Sequence, residues 1–311
     1  MSEQLVAMPD LRNVLGPLEL RSPVITASGT CGYGWEYEGL LDFSRLGAVT
    51  VKGLTLQPRI GNPPPRICET PAGMLNSIGL ENPGVEAFIA EKLRWLIDQD
   101  VPVIANINGN TIDEYVQLAC RLTDCPGIAA LEVNISCPNV DHGGLEFGKD
   151  PRQTAQVVGA VRNATTLPLL VKLSPNVTSI AEIAQAAVDV GADILSLINT
   201  LVGMSIDIFS HRPRLARGIG GLSGPAIKPV AVRMVWEVHR ALPEVPLIGM
   251  GGIMGGADAV EFMLAGASAV GVGTATFVSP SAANDVLDGI IEYARHRGIE
   301  RVAELVGSVI L

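Results

Sequence analysis

Residues 168–175, PLLVKLSP, and residues 192–200, ADILSLINT, decide the fold together with the stretch between them. Both are short, nearly unbroken apolar runs that end in polar residues. The intervening IAEIAQAAVDV (180–190) spaces its apolar residues as a helix does. Strands that are apolar on both faces and alternate with helices belong to a parallel sheet covered on both sides. Working outward, the same unit recurs. VITASG (24–29), AVTVKG (48–53), VPVIANING (101–109) and AALEVNIS (129–136) precede it, and VPLIGMGG (245–252) and ASAVGVGT (267–274) follow. Amphipathic stretches stand among and after them: VEAFIAEKLRWLID, DEYVQLACRLTD, PRQTAQVVGAVRNA, AIKPVAVRMVWEVHRAL, ADAVEFMLAG and NDVLDGIIEYARHR. Eight strand–helix units predict an α/β fold, a (β/α)8 TIM barrel. An open doubly wound sheet has fewer strands and a glycine fingerprint after the first one, which is missing here. GWEYEGLLDFSRLG (34–47), between the first two strands, is the poorest helix of the set.

The barrel uses the whole chain, so residues 1–311 are expected to form a single domain. Two connections, 54–84 and 201–225, are too long for simple loops and are expected as insertions at the C-terminal mouth, where barrels of this kind build their sites. With 48% hydrophobic and 17% charged residues the chain is no disordered protein. Twenty-two basic against 32 acidic residues, a net charge of −10, exclude a surface built to neutralise nucleic acid. Five cysteines, at 31, 68, 120, 125 and 137, form no C-x-x-C pair, so neither a disulfide framework nor a metal cluster is expected. His211, His239 and His296 join no carboxylates in a ligand pattern, and His142 reads as a polar loop residue. Residues 262–284 are uncharged and long enough to span a bilayer, yet Gly, Ser, Thr, Pro and Asn interrupt them, so they read as buried helix, strand and loop. With no secretory pattern at the N-terminus, a cytoplasmic protein with no membrane association is expected.

In a barrel, the residues at the strand ends share one mouth. Here they are Lys52, Asn106, Asn134 followed by Cys137, Lys172, Asn199 with Thr200, then Gly251, Gly252 and Gly273. An amide side chain both donates and accepts, so three Asn in one mouth suit a flat ring edged with C=O and N–H groups, such as a pyrimidine. Taken singly, each Asn is better explained as a cap on local backbone, and it is their recurrence at matching strand ends that points to a ligand. Glycines ending the last two strands match the phosphate site of such barrels, although tight packing alone also explains glycine. Lys52 and Lys172 end apolar runs, and a buried lysine needs a partner. Either could form a Schiff base or stand as a fixed charge beside an anion. Cys137, in NISCPN, is turned out by Pro138 and can act as acid or base. Cys68, Cys120 and Cys125 read as inert small hydrophobes, and Cys31 stays ambiguous.

These segments, with GNPPPR (61–66), MLNSIGLENPG (74–84), LEVNISCPNVDHGG (131–144), VKLSPNVT (171–178), INTLVGM (198–204) and GGLSGPAIKPVA (220–231), resemble class 1 dihydroorotate dehydrogenases, and most closely the NAD-linked branch, class 1B. The resemblance covers nearly the whole chain. It implies an FMN-dependent barrel, one FMN per chain, that oxidises (S)-dihydroorotate to orotate in pyrimidine synthesis. Cys137 then matches the base that removes the C5 proton while the C6 hydride passes to flavin N5. Ser28, Lys52, Gly53, Asn106, Asn134, Lys172, Ile198, Gly224, Met250, Gly251, Gly273 and Thr274 match the FMN positions. Lys52, Asn76, Ser77, Ile78, Gly79, Leu80, Asn134, Asn199 and Thr200 match the substrate contacts, and no metal ligand is implied. In class 1B the catalytic chain forms a homodimer core and works with an electron-transfer subunit carrying FAD and [2Fe-2S], as a heterotetramer of two and two, passing electrons to NAD. Class 2 enzymes use Ser as the base. SGTCGYG and ANING depart from the family's usual SGCFGFG and ANVAG. The competing readings are a class 1A enzyme reducing fumarate, a dihydropyrimidine dehydrogenase-like barrel, a Schiff-base aldolase or isomerase using Lys172, and a barrel that binds without catalysis.

Overall fold

The computed structural model describes residues 8–136 and 147–310. All eight expected strands are present and form one closed parallel barrel in chain order: β1 Val24–Thr26, β2 Ala48–Thr50, β3 Val103–Ile107, β4 Ile128–Asn134, β5 Leu169–Lys172, β6 Ile194–Leu197, β7 Leu247–Met250 and β8 Ala269–Val272. β5 pairs with β6 and β8 with β1, so no sheet edge is left open. The helices that cover the barrel are α1 Leu93–Asp98, entered through a π-helical turn at Phe88–Lys92, α2 Ile112–Thr123, α3 Pro151–Ala164, α4 Ile180–Val188, α5 Lys228–Ala241, α6 Gly256–Leu264 and α7 Ala282–Arg297.

Local chemistry explains where these helices start. Thr111 Oγ1 accepts from the Glu114 N–H, Asp150 Oδ1 accepts from the N–H groups of Arg152 and Gln153, and Ser179 Oγ accepts from the Glu182 N–H. Each cap is worth about 1 kcal/mol. Gly298, at φ 67°, ends α7 in the left-handed conformation that glycine adopts without a Cβ clash. α2 buries Tyr115, Leu118, Ala119 and Leu122, the stripe that its sequence spacing predicts. Between β1 and β2 there is no α-helix, only two 3₁₀ turns at Trp35–Tyr37 and Phe43–Arg45.

The barrel's lower interior is apolar. Ile25, Ala48, Ile104, Ala130, Leu170, Ile194, Ile248 and Ala269, one from each strand, pack there, and an antiparallel hairpin of Asn13–Leu15 and Leu18–Leu20 plugs the N-terminal end with Leu15, Leu18 and Leu20. Fully burying a leucine contributes about 2 kcal/mol, so this plug anchors the base of the barrel.

The two long connections, expected as insertions at the mouth, carry strands. Ile67–Thr70 pairs with Gly73–Asn76, Leu201–Met204 pairs with Ile219–Ser223, and Ile219–Ser223 also pairs with Gly73–Asn76, which makes one four-stranded antiparallel sheet over the mouth. These strands lie against the barrel on one face only, so they lack the unbroken apolar runs of the barrel strands. The uncharged stretch 262–284 divides among the end of α6, β8, a 3₁₀ turn at Thr274–Phe277 and the start of α7. Among the described residues no helix is long and apolar enough to cross a membrane.

Candidate functional site

The strand ends open into a cavity of about 390 Å³. Its two sides differ in chemistry. From β2 to β6 the barrel carries the buried polar residues Thr50, Asn106, Glu132, Lys172 and Ser196, whereas Ala27, Met250 and Gly271 take their place around β7, β8 and β1. One side can form hydrogen bonds and the other lets a ligand approach the backbone.

Glu132 organises the polar side. Its Oε2 accepts from Asn106 Nδ2 at 2.5 Å, its Oε1 accepts from Ser196 Oγ at 2.6 Å, and Asn106 Oδ1 in turn accepts from Asn108 Nδ2 at 2.8 Å. Carboxylate hydrogen bonds of this length are strong and hold the Asn106 amide in one orientation. Gly53 packs against this chain. A Cβ on it would fall 2.3 Å from Asn108 Nδ2, so a side chain there would push the amides apart.

Lys172 is 4% exposed, and Nζ donates to Ser28 Oγ at 3.1 Å, its one hydrogen-bond partner among the described residues. An ammonium has three donors, and leaving two of them buried without acceptors is costly. The arrangement fits a bound acceptor. Lys52 is half-buried at the rim, and burial lowers its amine below the usual lysine range, with Glu81 acting in the opposite sense and Arg66 in the same one.

Besides Asn106, three more amides line the cavity. Asn134 Oδ1 accepts from Ser136 Oγ at 2.7 Å, Asn199 Nδ2 donates to Ser136 Oγ at 2.7 Å, and Asn76 Nδ2 donates to the Gly221 carbonyl at 3.3 Å. Thr200, Ile198 and Met250 line the wall beside them, and Ile78, Gly79 and Leu80 close it from the mouth loop. On the opposite side Gly224, Gly251, Gly252, Gly273 and Thr274 form the backbone cradle, with Thr274 Oγ1 donating to Ser223 Oγ at 2.8 Å. Gly252 has φ 81°, and a Cβ there would stand 2.8 Å from the Gly224 carbonyl. Only glycine fits that approach.

One of the expected residues stands apart. Ser77 is fully buried behind the cavity wall, its backbone N–H donating to the Arg66 carbonyl, and its side chain does not reach the cavity. Cys137 lies outside the described residues, as does His142. Cys31 belongs to the core, where burial pushes its thiol up to about 12.

Residues 11–293 match the family profile described as dihydroorotate dehydrogenase. The chain belongs to the dihydroorotate dehydrogenase family. It is 57% identical over 304 residues to the dihydroorotate dehydrogenase B (NAD(+)) catalytic subunit of Geotalea daltonii, covering 98% of this chain and 99% of that one. The subunit of the same description from Pelobacter propionicus is 58% identical over 301 residues, 97% of this chain and 99% of its own length. That from Desulforudis audaxviator is 59% identical over 291 residues, 94% of each chain. A crystal structure of DHODH from Eimeria tenella in complex with ferulenol superposes with a TM-score of 0.81 at 24% identity, covering 99% of this chain and 90% of the other, and so shares its fold.

The dihydroorotate dehydrogenase mouth of this chain also contains groups that the strand-end pattern did not single out. Arg66 and Glu81 form an ion pair on the cavity wall, Ser223 braces Thr274, and Glu132 and Ser136 fix the amides. Glu132 carried a readable signal, because a carboxylate inside an otherwise apolar strand must find donors.

Proposed function

We propose that this chain is the catalytic subunit of an NAD-linked dihydroorotate dehydrogenase, which oxidises (S)-dihydroorotate to orotate with FMN held in the barrel mouth. The observation that carries this reading is Lys172, a buried ammonium with one protein partner and two spare donors in a cavity whose far side is a glycine cradle. FMN requires such a site, with donors for its ring edge and close backbone for its phosphate. Ser28, Lys52, Gly53, Asn106, Asn134, Lys172, Ile198 and Met250 would hold the ring side. Gly224, Gly251, Gly273 and Thr274 would hold the phosphate side. When bound, FMN supplies the hydride acceptor.

The protein's own residues do the rest. Lys172 holds a fixed positive charge where negative charge accumulates on reduction, which lowers the barrier without moving an atom. Lys52 meets the substrate carboxylate. Asn76, Asn134, Asn199 and Thr200 orient the ring, and Ile78, Gly79 and Leu80 exclude water from above. Cys137 is the base that takes the C5 proton onto its sulfur. Electrons leave through a partner subunit carrying FAD and [2Fe-2S], in a cytoplasmic heterotetramer with a homodimer core. Support for a protein partner comes from the exposed apolar side chains of the mouth insertions, Val202, Met204, Ile206, Ile208, Phe209 and Ile219.

The test is an anaerobic visible spectrum of the purified chain before and after dihydroorotate. Bleaching of a bound flavin is expected. A yellow protein that dihydroorotate leaves yellow would reject the substrate, and a colourless one that FMN cannot reconstitute would reject the cofactor.

A further inference from the structure

Ser136 follows β4, is 5% exposed, and joins two cavity amides, one at the end of β4 and one just past β6. Asn199, past β6, donates from Nδ2 to Ser136 Oγ at 2.7 Å, and Ser136 Oγ donates to Asn134 Oδ1 at 2.7 Å. The neighbours fix the direction of each bond. Asn199 Oδ1 accepts from the Thr200 backbone N–H at 2.8 Å, so its nitrogen must face Ser136. The Ser136 backbone N–H donates to Asn134 Oδ1 at 3.2 Å, so that oxygen is held from two sides. A hydroxyl has one proton, and with Asn199 donating to its oxygen that proton goes to Asn134. Asn134 Nδ2 is left on the cavity wall with no protein acceptor among the described residues, in the same cavity as the ammonium of Lys52. Asn134 therefore offers the cavity its donor side, its carbonyl oxygen being occupied by Ser136.

We propose that Ser136 is a positioning residue that sets the hydrogen-bond polarity of the substrate slot. Its hydroxyl locks the Asn134 amide with nitrogen toward the ligand, so that the slot selects a carboxylate or carbonyl edge over one bearing N–H. The inference rests on the dihydroorotate reading of the site. Without the hydroxyl, Asn134 loses its stronger anchor and can turn its carbonyl to the ligand, which weakens the preference without changing the shape of the slot.

The test uses the flavin-loaded protein and three ligands, titrated through the change that each causes in the visible flavin spectrum. They are orotate, orotamide, in which a carboxylate oxygen becomes NH₂, and cytosine-6-carboxylate, in which the C4 oxygen becomes NH₂. Ser136→Ala is expected to weaken orotate about tenfold, the loss of one hydrogen bond. The preference for orotate over at least one of the amino analogues is expected to shrink several-fold. KM for dihydroorotate rises by more than kcat falls, and Ser136→Thr, which restores the hydroxyl, restores both affinity and preference. Equal weakening of all three ligands, or no weakening, would overturn the proposal and leave Ser136 a structural residue. If Ser136→Ala does not accumulate folded, Ser136→Cys, similar in shape and a weak donor, makes the same comparison. A wild-type protein that binds no orotate and is not bleached by dihydroorotate would overturn the functional reading, and this inference with it.

Discussion

Lys172 Nζ stands 3.1 Å from Ser28 Oγ, a contact that crosses the mouth from β5 to the chain just past β1, halfway around the ring of eight strands. Only a long side chain on one wall and a short one on the other can meet there, and the pair leaves the lysine's remaining donors for a ligand. Lys172→Met keeps the bulk and removes the charge. FMN retained through purification should fall at least about tenfold, while the flavin-free protein becomes more stable by about 1 kcal/mol, because a buried charge lacking its ligand has been removed. The flavin-to-protein absorbance ratio and a urea melt measure the two effects, and full flavin content in the variant would refute the assignment.

Cys137→Ala should keep its flavin and lose dihydroorotate oxidation by about a hundredfold or more, the usual loss when a positioned base is removed. Cys137→Ser should retain part of the rate, with a profile moved to higher pH. Stopped-flow reduction of the flavin separates these outcomes, and wild-type reduction by the Ala variant would remove Cys137 from the mechanism.

Lys52 gives a pH dependence with two opposite signs. Burial lowers its amine below the ordinary 10.5. Between that lowered value and 10.5 the unfolded chain binds more protons than the folded one. The lysine's unfavourable contribution to folding is thus full below the lowered value and is relieved as pH rises toward 10.5. Anion binding runs the other way, since it needs the protonated amine. Orotate affinity should be flat while pH stays below the lowered value and fall once pH passes it, with proton uptake on binding above that point. Lys52→Met should bind weakly at every pH, and calorimetric titrations in two buffers would expose a variant that kept the pH dependence.

Glu132 holds two donors, Asn106 Nδ2 and Ser196 Oγ, inside the barrel. Glu132→Gln replaces one acceptor with a donor and should destabilise the protein by about 1 to 2 kcal/mol. Glu132→Ala strands both donors beside a void and should cost about 3 to 5 kcal/mol. Denaturant melts measure both, and a neutral Glu132→Ala would mean that the network does not contribute to stability.

Thiol chemistry should separate Cys31 from Cys120. Cys31 is fully buried with its thiol pushed up to about 12, whereas Cys120 is exposed on α2. An aromatic disulfide reagent should modify Cys120 in the native protein and reach Cys31 only at the rate of unfolding. Rapid labelling of Cys31, followed by peptide mass spectrometry, would contradict the packing around β1.

The barrel was readable in the sequence because each of its strands is covered on both faces, which forces a continuous apolar run on a short segment. The mouth sheet was not readable. GMLN (73–76) and LVGM (201–204) are four residues each and half-exposed, so no continuous apolar run marks them as strands, and the strand that joins Gly73–Asn76 to the rest of the sheet, Ile219–Ser223, lies far along the chain from it. Lys52, Asn106, Asn134 and Lys172 could be picked out because parallel strands end in register at one rim. Ser77 could not be distinguished from its neighbours, because only packing decides which residue of a loop turns inward. Ser136 sits one residue before Cys137, and its place between two amides depends on β6 lying two strands away around the barrel, which is a tertiary fact.

Asn76 is held by Gly221, 145 residues later in the chain, both through the sheet register and through its amide. A ribosome therefore releases the wall that carries Asn76 long before the strand that fixes it exists. Until the sixth strand and its return through Ile219–Ser223 have emerged, a nascent barrel can hold most of its helices and still lack one side of its pocket. The site comes late in synthesis, and a chain interrupted before that return carries Asn76 without its Gly221 anchor.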